Sequence, residues 1–83
     1  MTYRAEFEHG ALVQLGGFPR PAFDALVARV VELVDQRWDA TVAPPGGDPS
    51  FRWTTFGDGR GLVSFYLDDD AGVLRIYDVQ WIG

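Results

Sequence analysis

Between Phe51 and Val79, apolar residues recur at every second position in three runs, and this period of two restricts the fold more than any other feature of the chain. Side chains on a β-strand alternate between two faces, so each run reads as a strand with one buried side. Phe51 and Trp53 lead the first run, Val63, Phe65 and Leu67 mark the second, and Leu74 and Ile76 mark the third. The connections, Gly57-Asp58-Gly59-Arg60-Gly61 and Asp68-Asp69-Asp70-Ala71-Gly72, consist of residues that tolerate positive φ or cap a turn with a carboxylate. The pattern predicts a three-stranded antiparallel meander. On the same alternation its second face carries Arg52 and Thr54, then Leu62, Ser64 and Tyr66, then Arg75, Tyr77 and Val79. Arginines beside phenol rings can fork onto a phosphate and leave a ring to stack on a base, which is how single-stranded nucleic acid is gripped. The same residue types are ordinary on a sheet face left in water.

Upstream, Tyr3, Ala5 and Phe7 alternate with Arg4, Glu6 and Glu8, which predicts a fourth strand. Ala11, Leu12 and Leu15 then follow a helical spacing over His9 to Leu15, closed by Gly16-Gly17. After a tight connection at Phe18-Pro19, Pro21 suits the first position of a longer helix. Phe23, Leu26, Val27, Val30, Leu33, Val34 and Trp38 trace its expected buried stripe. Asp24 and Arg37 oppose the charges of the two helix ends. Asp39 to Ser50 contains Pro44-Pro45-Gly46-Gly47-Asp48-Pro49 and predicts a surface loop. At the far end, Trp81 and Ile82 read either as the packed tail of the last strand, the favoured reading, or as an exposed apolar anchor.

A chain of 83 residues predicts a single domain, residues 1–83, and leaves little surplus core. Cysteine is absent, which excludes a disulfide framework and thiolate metal ligands. The opening residues lack a basic start and an apolar run, and no stretch reaches membrane-spanning length, so a cytoplasmic location without membrane contact is expected. The net charge of −5 opposes long-range attraction of a polyanion, and all seven basic residues are arginine, so lysine chemistry is excluded. Gly57 to Gly61 lacks the following helix and the Lys-Ser/Thr of a phosphate loop. The three aspartates at 68–70 lack the alternate spacing and closing glutamate of a calcium loop. His9 is the only histidine, and Ser50 and Ser64 have no local nucleophile motif. No cofactor or metal is implied.

The order strand, short helix, long helix, loop and meander resembles the RelE/ParE superfamily of toxins from toxin–antitoxin pairs. The residues that carry the resemblance are Tyr3-Arg4-Ala5-Glu6-Phe7, then Ala11-Leu12 and Leu15 before Phe18-Pro19, and Phe51-Arg52-Trp53 running into Gly57-Asp58-Gly59-Arg60. Phe65-Tyr66-Leu67 and Val73-Leu74-Arg75-Ile76 complete it. The resemblance implies an α+β fold, two N-terminal helices packed on an antiparallel sheet made of the N-terminal strand and the C-terminal meander. It implies a protein antitoxin as partner, and either ribosome-bound mRNA or DNA gyrase as target. An mRNA target implies a metal-independent endoribonuclease. Carried over position by position, Arg52, Arg60 and Arg75 would bind phosphate, and Tyr66 or Tyr77 would stack on a base or share in proton transfer. The chain departs from the family at Thr54, where a second arginine is frequent, and at Asp78-Val79-Gln80-Trp81, where basic and tyrosine residues are usual. Two rival classes stand beside the toxin: a non-catalytic protein-interaction module of the same fold, and a homodimer whose sheet face is the interface.

Overall fold

The strand Gly61–Asp68 follows its alternation without exception: Gly61, Val63, Phe65 and Leu67 are buried, and the residues between them are half-buried. In the computed structural model, which describes residues 3–42 and 46–82 and only the backbone at Trp38, this strand is the middle of the sheet. The elements in chain order are β1 (Arg4–Phe7), α1 (His9–Leu15), α2 (Arg20–Asp35), a 3-10 turn (Arg37–Asp39), β2 (Thr41–Val42), β3 (Phe51–Phe56), β4 (Gly61–Asp68) and β5 (Val73–Trp81). The sheet order is β1-β5-β4-β3-β2. The meander is antiparallel as expected, whereas β1 joins it parallel to β5, with Glu6 beside Arg75 and Phe7 beside Ile76. The sheet is therefore mixed, with both helices covering one face.

Two further features of the sheet were not expected from the sequence. β2 pairs Thr41 with Trp53 and Val42 with Arg52, and a two-residue strand is too short to leave a periodic signal. It lies in the stretch read as loop, of which Pro44 and Pro45 fall outside the described residues. The second feature is a β-bulge in β5. Ser64 pairs with Asp78 but its neighbour Phe65 pairs with Ile76, which leaves Tyr77 as the extra residue. Beyond the bulge the alternation changes phase, so Val79, expected on the outer face, is buried at 2% exposure.

The core lies between the helices and the sheet, with Leu26, Leu33, Val63, Phe65, Leu74 and Ile76 fully enclosed. α2 is rolled relative to its expected orientation. Ala22, Leu26, Val30 and Leu33 are buried, while Phe23 and Val27, expected inside, stand exposed with Val31. The small Ala22 and Ala25 let this side of the helix come close to the sheet, which explains the roll. Trp38, also expected in the stripe, has its side chain outside the described residues.

At the far end of the sheet, Phe56 stacks on Trp81 at 5.8 Å and on Phe18 at 6.4 Å. Trp81 is thus the packed tail and Ile82 alone is exposed. The hairpin before it turns on Asp58 and Gly59, with φ of 58° and 84°. Positive φ at both central residues is what a type I′ turn requires, and Asp-Gly supplies it. Gly61, directly across from Phe56, makes room for that ring, since a Cβ there would overlap it. Gly61→Ala is therefore expected to lower the unfolding free energy by about 1–3 kcal/mol through overpacking, read as a lower urea midpoint.

Candidate nucleic-acid interface

The face of the sheet away from the helices is built in rows by strand register. Phe51, Tyr66, Arg75 and Glu6 lie side by side across β3, β4, β5 and β1. Thr41, Trp53, Ser64 and Asp78 form the next row. Phe51 stacks on Tyr66 at 5.4 Å and meets Tyr77 edge-on at 6.1 Å. Phe51 and Tyr77 remain substantially exposed, so this cluster offers ring surface to a ligand. Its geometry is that of ordinary aromatic pairs.

Arg75 sits beside the rings and is already engaged. One guanidinium nitrogen lies 2.9 Å from Glu6 Oε1 and another 3.6 Å from Asp68 Oδ2. Glu6 also accepts from Arg4 at 3.0 Å, so two arginines face two carboxylates along this edge. The second contact is the looser one. A cleft of about 390 Å³ opens at the same end, lined by Asp48, Phe51, Tyr66 and the aspartates of the β4–β5 turn. Asp68 serves the turn as well, since its Oδ1 accepts from the Ala71 N–H at 3.2 Å. The local field is therefore negative around a neutralised arginine.

The structure separates the five residues singled out from the sequence. Tyr66, Tyr77 and Arg75 come together. Arg60 is exposed in the β3–β4 turn, six residues from Tyr66 along the strand, roughly 20 Å at the usual strand rise. Arg52 requires a correction: it lies on the helix-facing side, 8% exposed and opposite Phe65. Its guanidinium donates to the Pro49 carbonyl at 2.8 Å and to the Ala40 carbonyl at 2.9 Å. Phe51 and Trp53 occupy the open face instead. The first run has aromatic residues on both sides, and Phe56 shares its phase with Arg52, so alternation alone chose the wrong side. Phe51, Glu6 and Asp68 were missed as members of the site. The parallel pairing of β1 beside β5 is what brings Glu6 to Arg75, and no local pattern reports it.

No protein-family model and no curated protein matches the sequence. Among solved structures, the isolated E. coli RelE toxin superposes with a TM-score of 0.81 over 98% of this chain and 85% of its own, at 14% identity. The archaeal RelE of a RelE–RelB complex from Pyrococcus horikoshii OT3 superposes with a TM-score of 0.75 over 100% of this chain and 98% of its own, at 16% identity. This is the RelE fold. A mutant E. coli RelE in complex with a peptide of the antitoxin RelB matches with a TM-score of 0.80 at 16% identity, covering 95% of this chain and 82% of that one. Among the described residues, no helix of this RelE-fold chain is long and apolar enough to cross a membrane.

The burial of the two arginines predicts losses of different size on removing them. Arg52→Ala leaves carbonyls in a nearly closed environment without their charged donor and is expected to cost about 2–4 kcal/mol in denaturant unfolding. Arg75→Ala breaks half-exposed ion pairs and is expected to cost less than about 1 kcal/mol in the same measurement.

Proposed function

We propose that this chain is a RelE-like toxin component of a toxin–antitoxin pair, silenced by a protein antitoxin, and that it is a metal-independent endoribonuclease acting on ribosome-bound mRNA. The observation that carries the reading is the whole-chain likeness to RelE, two of the three neighbours being solved with RelB. The open face supports the RNA part. Tyr66, stacked with Phe51, supplies a platform for a base. Arg75 binds the scissile phosphate by moving off Asp68, the longer of its two contacts, while Glu6 holds the other edge of the guanidinium. The 2′-oxygen bonds to phosphorus as its proton passes to solvent water, and the bond from phosphorus to the 5′-oxygen breaks as that oxygen takes a proton from water, which gives a 2′,3′-cyclic phosphate and a 5′-hydroxyl end. Tyr77, on the bulge beside the rings, shares in that proton transfer. With its cation offset by two carboxylates, this site stabilises the phosphorane weakly, and slow cleavage is the expected behaviour.

The non-catalytic module of the same fold is the second reading, favoured by the carboxylate-held Arg75 and by the net charge of −5. Induced expression in a bacterial host separates the two. Growth arrest with new mRNA ends that disappear in Arg75→Ala supports the ribonuclease. Arrest without new ends moves the target to gyrase, and normal growth with abundant folded protein favours the module. A binding measurement tests the electrostatic argument directly. Replacing Glu6 with Gln and Asp68 with Asn frees Arg75 and is expected to tighten binding of a single-stranded RNA oligonucleotide by about 3–10-fold at low salt, with a steeper salt dependence. Unchanged affinity would remove Arg75 from the RNA contact.

A further inference from the structure

α2 presents an apolar ridge with no partner among the described residues. Phe23, Val27 and Val31 follow at i, i+4 and i+8, exposed at 42%, 44% and 63%. They run for about 12 Å along one shoulder of the helix, given the helical rise per residue. Single exposed apolar residues are normal on a protein surface, but three in line form a continuous strip of the kind that marks contact with another chain. At its C-terminal end the ridge runs into a hollow of about 320 Å³ lined by Arg29, Val31, Glu32, Asp35 and Asp39. Arg29 balances only one of the hollow's three carboxylates. Its guanidinium is spent on Glu32 at 3.1 Å, on the Thr55 carbonyl at 3.2 Å and on the Thr54 hydroxyl at 2.9 Å. Asp35 and Asp39 make no ion pair among the described residues.

The placement of these carboxylates carries the argument further. Asp35 is the last residue of α2, and the last turn holds no basic residue. The carbonyl end of a helix is its negative end, so an aspartate there is repelled by the backbone. Arg37, two residues further on, holds its guanidinium over the Tyr3 ring, its Cζ 3.9 Å from the ring centre. A bound cation would relieve the repulsion, and the adjoining ridge says what carries it. We propose that the α2 ridge and its acidic hollow dock a basic amphipathic helix of a protein partner, with apolar side chains along Phe23, Val27 and Val31 and a lysine or arginine in the hollow. The net charge of −5 suits such a partner and disfavours a second copy of this chain. Its identity as the antitoxin rests on the reading above, whereas its chemistry does not.

The test uses the purified chain and two synthetic helical peptides. Both carry leucine at i, i+4 and i+8; one has lysine and arginine on the flanks and after the last leucine, the other glutamate at the same places. The basic peptide is expected to bind at least about tenfold more tightly at low salt, and to perturb the methyl resonances of Val27 and Val31. Val31→Gln should abolish binding without lowering the melting temperature, because Val31 is outside the core and the substitution adds no charge beside Asp35. Asp35→Asn should raise the melting temperature and weaken the basic peptide together, a pairing that a purely structural aspartate would not give. Absence of saturable binding by the basic peptide, or equal binding of the two, would overturn the proposal. So would perturbations confined to the open sheet face. Self-association of the chain that Val31→Gln abolishes would give the ridge to a second copy instead. Since none of these readouts involves growth arrest or RNA cleavage, failure here leaves the toxin reading standing, and failure of that reading leaves these results interpretable.

Discussion

One extra residue in β5 decides what each face of this sheet can be. With Tyr77 bulged, Ile76 and Val79 both reach the core although they are three positions apart, and Tyr77 is turned outward beside Phe51. A regular strand would have sent Val79 out and left Val63 without its apolar neighbour across the ladder. The phase change also brings Trp81 onto the side where Phe56 stacks with it and Phe18 meets it at a tilt. Past the end of β1 the outer edge of β5 would be bare, and Gln14 of α1 covers it. Its side-chain carbonyl accepts from the Val79 N–H at 2.8 Å, and its amide donates to Asp78 at 2.8 Å. A single glutamine thus satisfies a strand edge that a neighbouring strand would otherwise have to meet.

The meander, its two turns, β1 and both helices were legible because each has a period or a punctuation residue that acts locally. Alternation reads burial reliably where the two sides differ in chemistry, as in β4. It fails in β3, where Phe51 and Trp53 on one side compete with Phe56 on the other and an arginine is buried by its bonds to Pro49 and Ala40. A buried arginine is an exception that tertiary hydrogen bonds create, and those partners are remote from any residue pattern. The roll of α2 has the same character: the larger side chains Phe23 and Val27 suggested the inner face, whereas close approach to the sheet selected the smaller alanines. Of the site, the two tyrosines and Arg75 were readable from alternation, while the carboxylates that neutralise Arg75 depend on a parallel pairing between the two ends of the chain.

Charge gives the two sides of the molecule different tasks. On the open face each cation lies near carboxylates, so under the reading proposed above the rings, rather than an electrostatic field, would supply most of the attraction for a nucleic acid. Stacking needs no net charge and tolerates any base. On the helical side the balance is negative too, because Asp35 and Asp39 face solvent without an ion pair among the described residues. A chain that is acidic overall and locally unneutralised attracts basic protein segments more readily than it attracts RNA.

The ridge of α2 and the aromatic row lie on opposite sides of the sheet, so a helix seated on α2 leaves Phe51, Tyr66 and Tyr77 uncovered. If the proposed toxin reading holds, silencing by occlusion would need a second segment of the partner, wrapped round an edge. The alternative is mechanical, and Arg29 is where it would pass. This side chain bonds Glu32 in the acidic hollow and, through Thr54 and Thr55, holds β3, the strand whose other side carries Phe51 and Trp53. A lysine or arginine entering the hollow competes with Arg29 for Glu32 and frees part of the guanidinium. Whether β3 responds depends on its having a second stable position, and six cross-strand pairs to β4 oppose one. Rigid pairing on that scale argues against transmission through the sheet.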